Sequence, residues 1–311
     1  MLKKILFATT VSPECDDAAR YAFDLAKKSN ATLCIFHVFG IPSHGFSHYV
    51  INIKTGAQEF YSDEYDQIVL DEMTDRYAEY LKEYNNTTIE CTIGDPSSET
   101  LKKVKKEGFD IIIMGAHQKV KNHDSVRYGN LTGDTMQQVA RGARCPVMLI
   151  GQSYDRNLWE LNSVLCAIDF SRASMPAFRF AVRVARENEC RIYLFHALDI
   201  HQQMPGESKV NVEKKIKDTL KKLEKRYKPE LGEYKDYVFG IQEGVPYAEI
   251  LKYAREHSID LIAMGHHSGS IFNRKDKLGS TTEEVVIRSS CPVASVNRME
   301  VLDGYEAFLS D

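Results

Sequence analysis

At 311 residues the chain is longer than one ordinary small domain, and two domains of about 150 residues are the natural expectation. Hydrophobic residues at 43% and charged residues at 27% supply enough apolar side chain for true cores. A formal net charge of -4 argues against a broad electrostatic footprint for nucleic acid, and no run approaches the ~20 apolar residues of a membrane span.

The chain opens with MLKKILFATTVSPECDD, two lysines and a short apolar run that ends in polar residues, followed directly by helix-like sequence. The run is too short for a secretory signal and reads as a buried first strand, Ile5–Thr9. An amphipathic helix follows over Asp16–Lys28, with Ala18, Ala19, Ala22, Phe23 and Ala26 on one face, and Ser12 stands before it as a capping residue would. Thr32–Val38 and Ile111–Met114 are further runs suited to strands buried on both faces. Between them lies a polar and aromatic excursion, Gly40 to Asp63, with His44 and His48. It reads as a surface excursion packing across the other domain, or as a lid over a ligand.

The pattern then repeats. The segment from Lys3 to Phe39 aligns with that from Asn162 to Leu198. Gly94–His117 aligns with Gly244–His267, and the terminal CPVMLI from Cys145 with CPVASV from Cys291. Three blocks in one order indicate tandem homologous domains, 1–151 and 162–311, joined by the connector Gln152–Leu161 near the lone Trp159. Strands alternating with helices predict an α/β fold: two doubly wound domains, each a five-stranded, mostly parallel sheet flanked by helices. In the second copy Ser171 takes the place of Ser12, and Gly94–Pro96 and Gly244–Pro246 mark the turn into the third helix. The lysine-rich Lys214–Lys228 carries Ile216, Leu220 and Leu223 at helical spacing, so it reads as a solvated helix face.

The seven cysteines include no Cys-x-x-Cys pair and sit mostly in apolar runs, as small hydrophobes in a reducing compartment would; a cytoplasmic location is expected. His37 and His196 occupy matching places late in the second strand and read as satisfied structural histidines. His117, His123, His266 and His267 follow no fixed ligand spacing, so no metal is expected. Asp110 and Asp260 precede the fourth strand as turn or capping residues. Nothing pairs a nucleophile with a base at diagnostic spacing, so at most a slow ATPase is expected.

One place carries chemistry. In an open parallel sheet, ligands bind beyond the carboxyl ends of the strands, where the strand order reverses. After Met264 the second copy reads Gly265, a polar loop with Gly269, and then Gly279-Ser280 opening a helix. Glycines admit phosphate oxygens close to the backbone, and a helix N-terminus offers unpaired N–H groups. This is neither a Walker A loop nor a dinucleotide G-x-G-x-x-G turn.

Both copies resemble the universal stress protein family along nearly their whole length. The resemblance rests on IDFS (Ile168–Ser171), FHA (Phe195–Ala197), AMG (Ala263–Gly265), the glycine-serine turn and the terminal CPV. It implies a dimerising α/β protein that binds ATP or another adenine nucleotide, with or without magnesium, and acts as a stress-response or regulatory module. Carried over residue by residue, it implies that Ala167, Ile168 and Asp169 lie near the adenosine and Ala197 against the base. Met264 and Gly265 match the strand-end pair, and Gly269, Gly279, Ser280 and Thr281 the phosphate turn. The ATP-binding pattern is G-x-x-G-x9-G-[ST]. Here Ser268 holds the place of the second glycine and Gly269 follows one residue late, while Arg274, Lys275 and Lys277 read as an exposed charged loop.

The first copy departs at the same points: Thr10 replaces the aspartate, Gln118 the motif glycine, and Gly133-Asp134 stands where Gly279-Ser280 does. A carboxylate facing phosphate is repulsive, so that site is expected to be degenerate. The first copy then serves as a built-in partner, pairing through Val147–Ile150 and Val293–Val296, and a homodimer of the whole chain is a further expectation. The competing expectations are a ligand-free interaction scaffold and a weak ATPase.

Overall fold

The computed structural model describes residues 2–39, 49–51, 58–61, 63–116, 134–151, 161–199, 209–265 and 280–297. The chain divides into two compact units, Met1–Tyr154 and Asp155–Asp311.

The first unit runs β1 (Lys4–Thr9), a 3₁₀ turn (Pro13–Cys15), α1 (Asp16–Ser29), β2 (Thr32–Phe39) and the short strands β3 (Tyr49–Ile51) and β4 (Gln58–Phe60). It continues through α2 (Asp63–Arg76), α3 (Ala78–Glu83), β5 (Thr87–Ile93), α4 (Pro96–Glu107), β6 (Ile111–Gly115), α5 (Asp134–Gly142) and β7 (Val147–Ile150). Its main sheet is parallel in the order β7-β6-β1-β2-β5. The antiparallel pair β3–β4 lies within the Gly40–Asp63 excursion, most of which falls outside the described residues.

The second unit runs β8 (Ser163–Ala167), α6 (Ser174–Asn188), β9 (Arg191–Asp199), α7 (Lys209–Leu231), β10 (Tyr237–Gly244), α8 (Pro246–Glu256), β11 (Leu261–Gly265), α9 (Ser280–Arg288) and β12 (Val293–Val296). Its parallel order, β10-β9-β8-β11-β12, repeats that of the first unit. In both units the first strand is central, and the chain turns back on itself there. Right-handed crossovers therefore put the helices that precede the third strand of the main sheet on one face and the two that follow it on the other. Both units are doubly wound three-layer domains, as the alternation of strand and helix predicts.

The middles of the central strands have lost all contact with water: Ile5, Leu6 and Phe7 in β1, and Val164, Leu165 and Cys166 in β8, are fully buried. The first helix of each unit covers that strand with small residues, Ala18, Ala19, Ala22 and Ala26 in α1, and Ala177, Ala181 and Ala185 in α6. These let helix and sheet approach closely, while Phe23 and Phe178 supply bulk. On α7 the residues meeting the core are Leu223, Tyr227 and Leu231, and the lysines lie on the exposed side. Among the described residues no helix is long and apolar enough to cross a membrane.

Two polar fixtures recur. The Asp110 carboxylate accepts the backbone N–H groups of Lys3 and Lys4 at 2.6 and 2.9 Å; Asp260 accepts the Asn162 N–H and the Ser163 hydroxyl at 3.0 and 2.9 Å. Each aspartate thus ties the start of its unit's central strand to the turn before the fourth sheet strand. The Tyr84 hydroxyl donates to Ala31 O at 2.6 Å, and the Tyr234 hydroxyl to Cys190 O at 2.5 Å, closing the turn between the first helix and second strand.

One core position is solved differently in the two copies. In the first unit Lys103 is only 8% exposed. Its Nζ lies over the Phe36 ring at 5.2 Å and donates to Glu90 and Glu107 at 2.6 and 2.7 Å. In the second unit Tyr253 takes the place of Lys103, packing on Phe195 with ring centroids 4.5 Å apart. Gly240 takes the place of Glu90. A Cβ there would lie 2.8 Å from the Tyr253 hydroxyl, so the glycine makes room for the ring.

Candidate functional site

The strand order reverses between β8 and its neighbours β9 and β11, and of the residues singled out in the second copy Ala167, Ile168, Asp169, Ala197, Met264 and Gly265 lie in or just beyond the carboxyl-terminal parts of these strands. Ala167 ends β8, with Phe195 beside it on β9 and Met264 on β11. Ile168 is buried, and its N–H donates to Phe195 O at 2.8 Å, which extends the β8–β9 pairing by one step. Ala197 lies two residues further along β9, in register with Gln242 of β10. Asp169 is exposed. One carboxylate oxygen accepts the Ser171 N–H at 2.9 Å, which leaves the other without a partner among the described residues.

Gly265 ends β11 under steric constraint. A Cβ at this position would lie 2.4 Å from Ala173 O and 2.9 Å from Ala173 C. The bare glycine backbone therefore lets the turn leading into α6 close against β11, bringing two edges of the switch point together. From the other side the Thr282 hydroxyl, in the first turn of α9, donates to Gly265 O at 3.2 Å. The helix that begins at Ser280 thus starts beside the end of β11, with Thr281 half-buried behind it. Gly269 and Gly279 lie outside the described residues, as do Arg274, Lys275, Lys277, His266 and His267 of this loop and Gln118, His117, His123 and Gly133 of the first copy.

The turn after β8 differs from what the serine pattern predicts. Ser171 does not cap α6, and Ser12 does not cap α1. The residues flanking those helices are Ala173 and Cys15, and neither makes a side-chain cap bond. The reason is a left-handed residue just before each serine, Val11 at φ 56° and Phe170 at φ 61°, which redirects the chain and delays the helix by another turn. Such a conformation costs a β-branched or bulky residue free energy, and the surroundings hold it in place. Arg226 donates to Phe170 O at 2.6 Å, Lys222 lies over the Phe170 ring at 4.4 Å, and His196 packs on the ring with centroids 4.8 Å apart. In the first unit the Val11 N–H donates to the Thr9 hydroxyl at 2.9 Å, and that hydroxyl shares a 2.6 Å hydrogen bond with Tyr77.

Lys222, Arg226 and Phe170 were not among the residues expected at the site. A sequence signal existed: Arg76-Tyr77 and Arg226-Tyr227 are the same dipeptide in the same place, seven residues before Tyr84 and Tyr234. Arg76 pairs with Asp16 rather than with the turn, so the shared residues serve the two units differently.

His37 and His196 also repeat. Their Nδ1 atoms donate to Thr9 O at 2.7 Å and Ile168 O at 2.6 Å, the carbonyls of the two strand ends. Burial lowers both pKa values, the carbonyl bonds opposing it; at His196 the Asp169 charge also raises the value and Lys222 lowers it. A lowered histidine pKa means that the unfolded chain takes up a proton that the native state refuses. Stability is present above the ordinary imidazole pKa of about 6.5 and falls as the pH drops below it, by at most about 1.4 kcal/mol per pH unit for each ring. Urea unfolding at pH 7.5 and 5.5 should show this loss, and His37→Gln with His196→Gln should flatten it. An unchanged slope in the double variant would refute the assignment.

The family model described as the universal stress protein family matches residues 1–151 and again 160–297. A universal stress protein of Methanocaldococcus jannaschii is 27% identical over 139 residues, covering 43% of this chain and 81% of that protein. Among solved structures, a universal stress protein from Archaeoglobus fulgidus superposes with a TM-score of 0.61 at 20% identity, covering 95% of this chain and 96% of that one. A chain described as a putative universal stress protein from Pseudomonas aeruginosa superposes with a TM-score of 0.56 at 14% identity, covering 100% and 98%. With two family segments on two units of one sheet order, the chain belongs to the universal stress protein family and carries its domain twice in tandem.

Proposed function

We propose that the second unit binds ATP or a related adenine nucleotide at the carboxyl edge of its sheet, and that the protein acts as a nucleotide-responsive regulatory module. The observation that carries this reading is the Gly265 junction, where the β8 turn closes on the end of β11 with no side chain between them and the Thr282 hydroxyl ties the first turn of α9 to the same residue. Phosphates would meet the N–H groups and positive dipole end of α9, with the Ser280 hydroxyl as a further donor and Gly269 and Gly279 giving close backbone access. The adenosine would lie toward Ala167, Ile168 and Ala197, with Asp169 accepting from it; Met264 and Thr281 line the remaining sides. The first unit has Thr10 in place of that acceptor and Asp134 where Ser280 stands, so it contributes framework rather than ligand.

Ser280→Asp reproduces the first copy's chemistry in the second. An aspartate at a helix start favours the helix, so the variant should fold normally while repelling phosphate. Calorimetry with ATP should show binding by the wild-type chain and a loss of more than about 100-fold in Ser280→Asp. Equal affinities would overturn the assignment. A ligand-free scaffold is the second reading, favoured by the extra residue before Gly269; a wild-type chain that gives no heat with ATP and no thermal shift would establish it.

A further inference from the structure

Beside the candidate adenosine position stands a polar group that the family resemblance does not assign. Gln242 of β10 is in register with Ala197 of β9, so in this parallel pair the two side chains leave the same face of the sheet, on strands about 4.8 Å apart. The face is identified by their neighbours: Phe195 and Gly240, also in register and two residues earlier, both meet Tyr253 of α8. The Gln242 amide oxygen is shielded from solvent and accepts no hydrogen bond from the described residues. A buried acceptor left empty is unfavourable, and native structures usually provide a donor for it. The corresponding pair in the first unit is Val38 and Thr92, so the amide occurs only in the copy that keeps Asp169 and Ser280.

We propose that Gln242 selects the base of the nucleotide bound by the second unit, its amide oxygen accepting from the 6-amino group of adenine. The inference rests on the nucleotide reading above and adds a residue and a selectivity to it. Ala197, its register partner, contributes no side-chain bulk beyond Cβ beside the amide. An amide offers an acceptor and a donor side by side, the complement of an adenine edge. Hypoxanthine replaces the 6-amino donor by a carbonyl oxygen, so on the edge that also carries N7 it presents two acceptors, which the amide cannot satisfy together in either orientation.

ATP and ITP titrated into the full-length chain test this directly, because they differ at that edge of the base. The wild type should prefer ATP by between about five-fold and 100-fold. Gln242→Leu, which removes the amide at similar size, should bring the ratio close to one, chiefly by weakening ATP. Its thermal midpoint without ligand should equal or exceed that of the wild type. Gln242→Thr, the residue found at this place in the first unit, gives a second measure if the leucine variant folds poorly. Equal wild-type affinities for ATP and ITP, or an unchanged ratio in a folded variant, would overturn the role of Gln242 while leaving the nucleotide site intact. A wild type that binds neither nucleotide would remove both.

Discussion

Gly265→Ala should destabilise the second unit by about 1–3 kcal/mol, the usual cost of forcing a methyl group into a filled space. The neighbours of the new Cβ decide the size of the effect. It would lie 2.4 Å from a carbonyl oxygen and 2.9 Å from a carbonyl carbon, both main-chain atoms of Ala173. A side chain could rotate away, but the main chain can yield only by moving the start of α6 off β11. That movement would carry the Asp169–Ser171 turn with it, so ATP affinity should fall together with stability. Urea unfolding and calorimetry on the one variant measure both. An unfolding midpoint equal to the wild type's would show that the junction is looser than its distances imply, and would weaken the nucleotide site built on it.

The second large effect is expected at the position where the two copies differ in chemistry. Transplanting the second unit's tyrosine as Lys103→Tyr should destabilise the first unit, because Glu90 occupies the space that Gly240 leaves open around Tyr253. The ring would also strip Glu90 and Glu107 of their cation. Those carboxylates are 46% and 35% exposed, so water takes over part of that loss and the steric conflict dominates. Adding Glu90→Gly should recover about 1–3 kcal/mol of the loss, a coupling of the size found between residues in contact. Urea unfolding of the two single variants and the double one completes the cycle. Simple additivity would mean that the two positions do not share one space.

Much of this architecture could be read from the residues. The apolar runs at Ile5–Thr9 and Val293–Val296 become strands because a segment buried on both faces needs no alternation, and the repeat supplies the order of elements twice. Gly265 is legible as the glycine that ends a strand, although its steric task at Ala173 depends on a segment far away in the chain. The left-handed turn was not legible. Val11 and Phe170 are poor choices for positive φ, and the bonds that hold them come from Thr9 in one copy and from Arg226, a residue of another helix, in the other. Serine before a helix normally suggests a cap, but here the turn intervenes. The Arg-Tyr repeat went unread because its surroundings differ: α2 and α3 break at Tyr77, whereas α7 runs on past Tyr227 and even past Pro229 near its end. Gln242 gives no sequence signal, since a glutamine late in a strand acquires meaning only from its register with Ala197.

The position of the first strand bears on how the protein is made. β1 is synthesised before the other strands of its sheet, yet it lies in the middle of that sheet, between β2 and β6. The Asp110 carboxylate that fastens its start is 107 residues from Lys3, and in the second unit Asp260 is 98 residues from Asn162. Neither unit can pair both edges of its central strand until more than two-thirds of its residues have been synthesised. Until then one edge of a largely apolar strand stays open to other chains, the condition under which nascent proteins aggregate or recruit chaperones. Contacts this distant in sequence also slow folding. The tandem arrangement makes the cell meet that delay twice for each molecule.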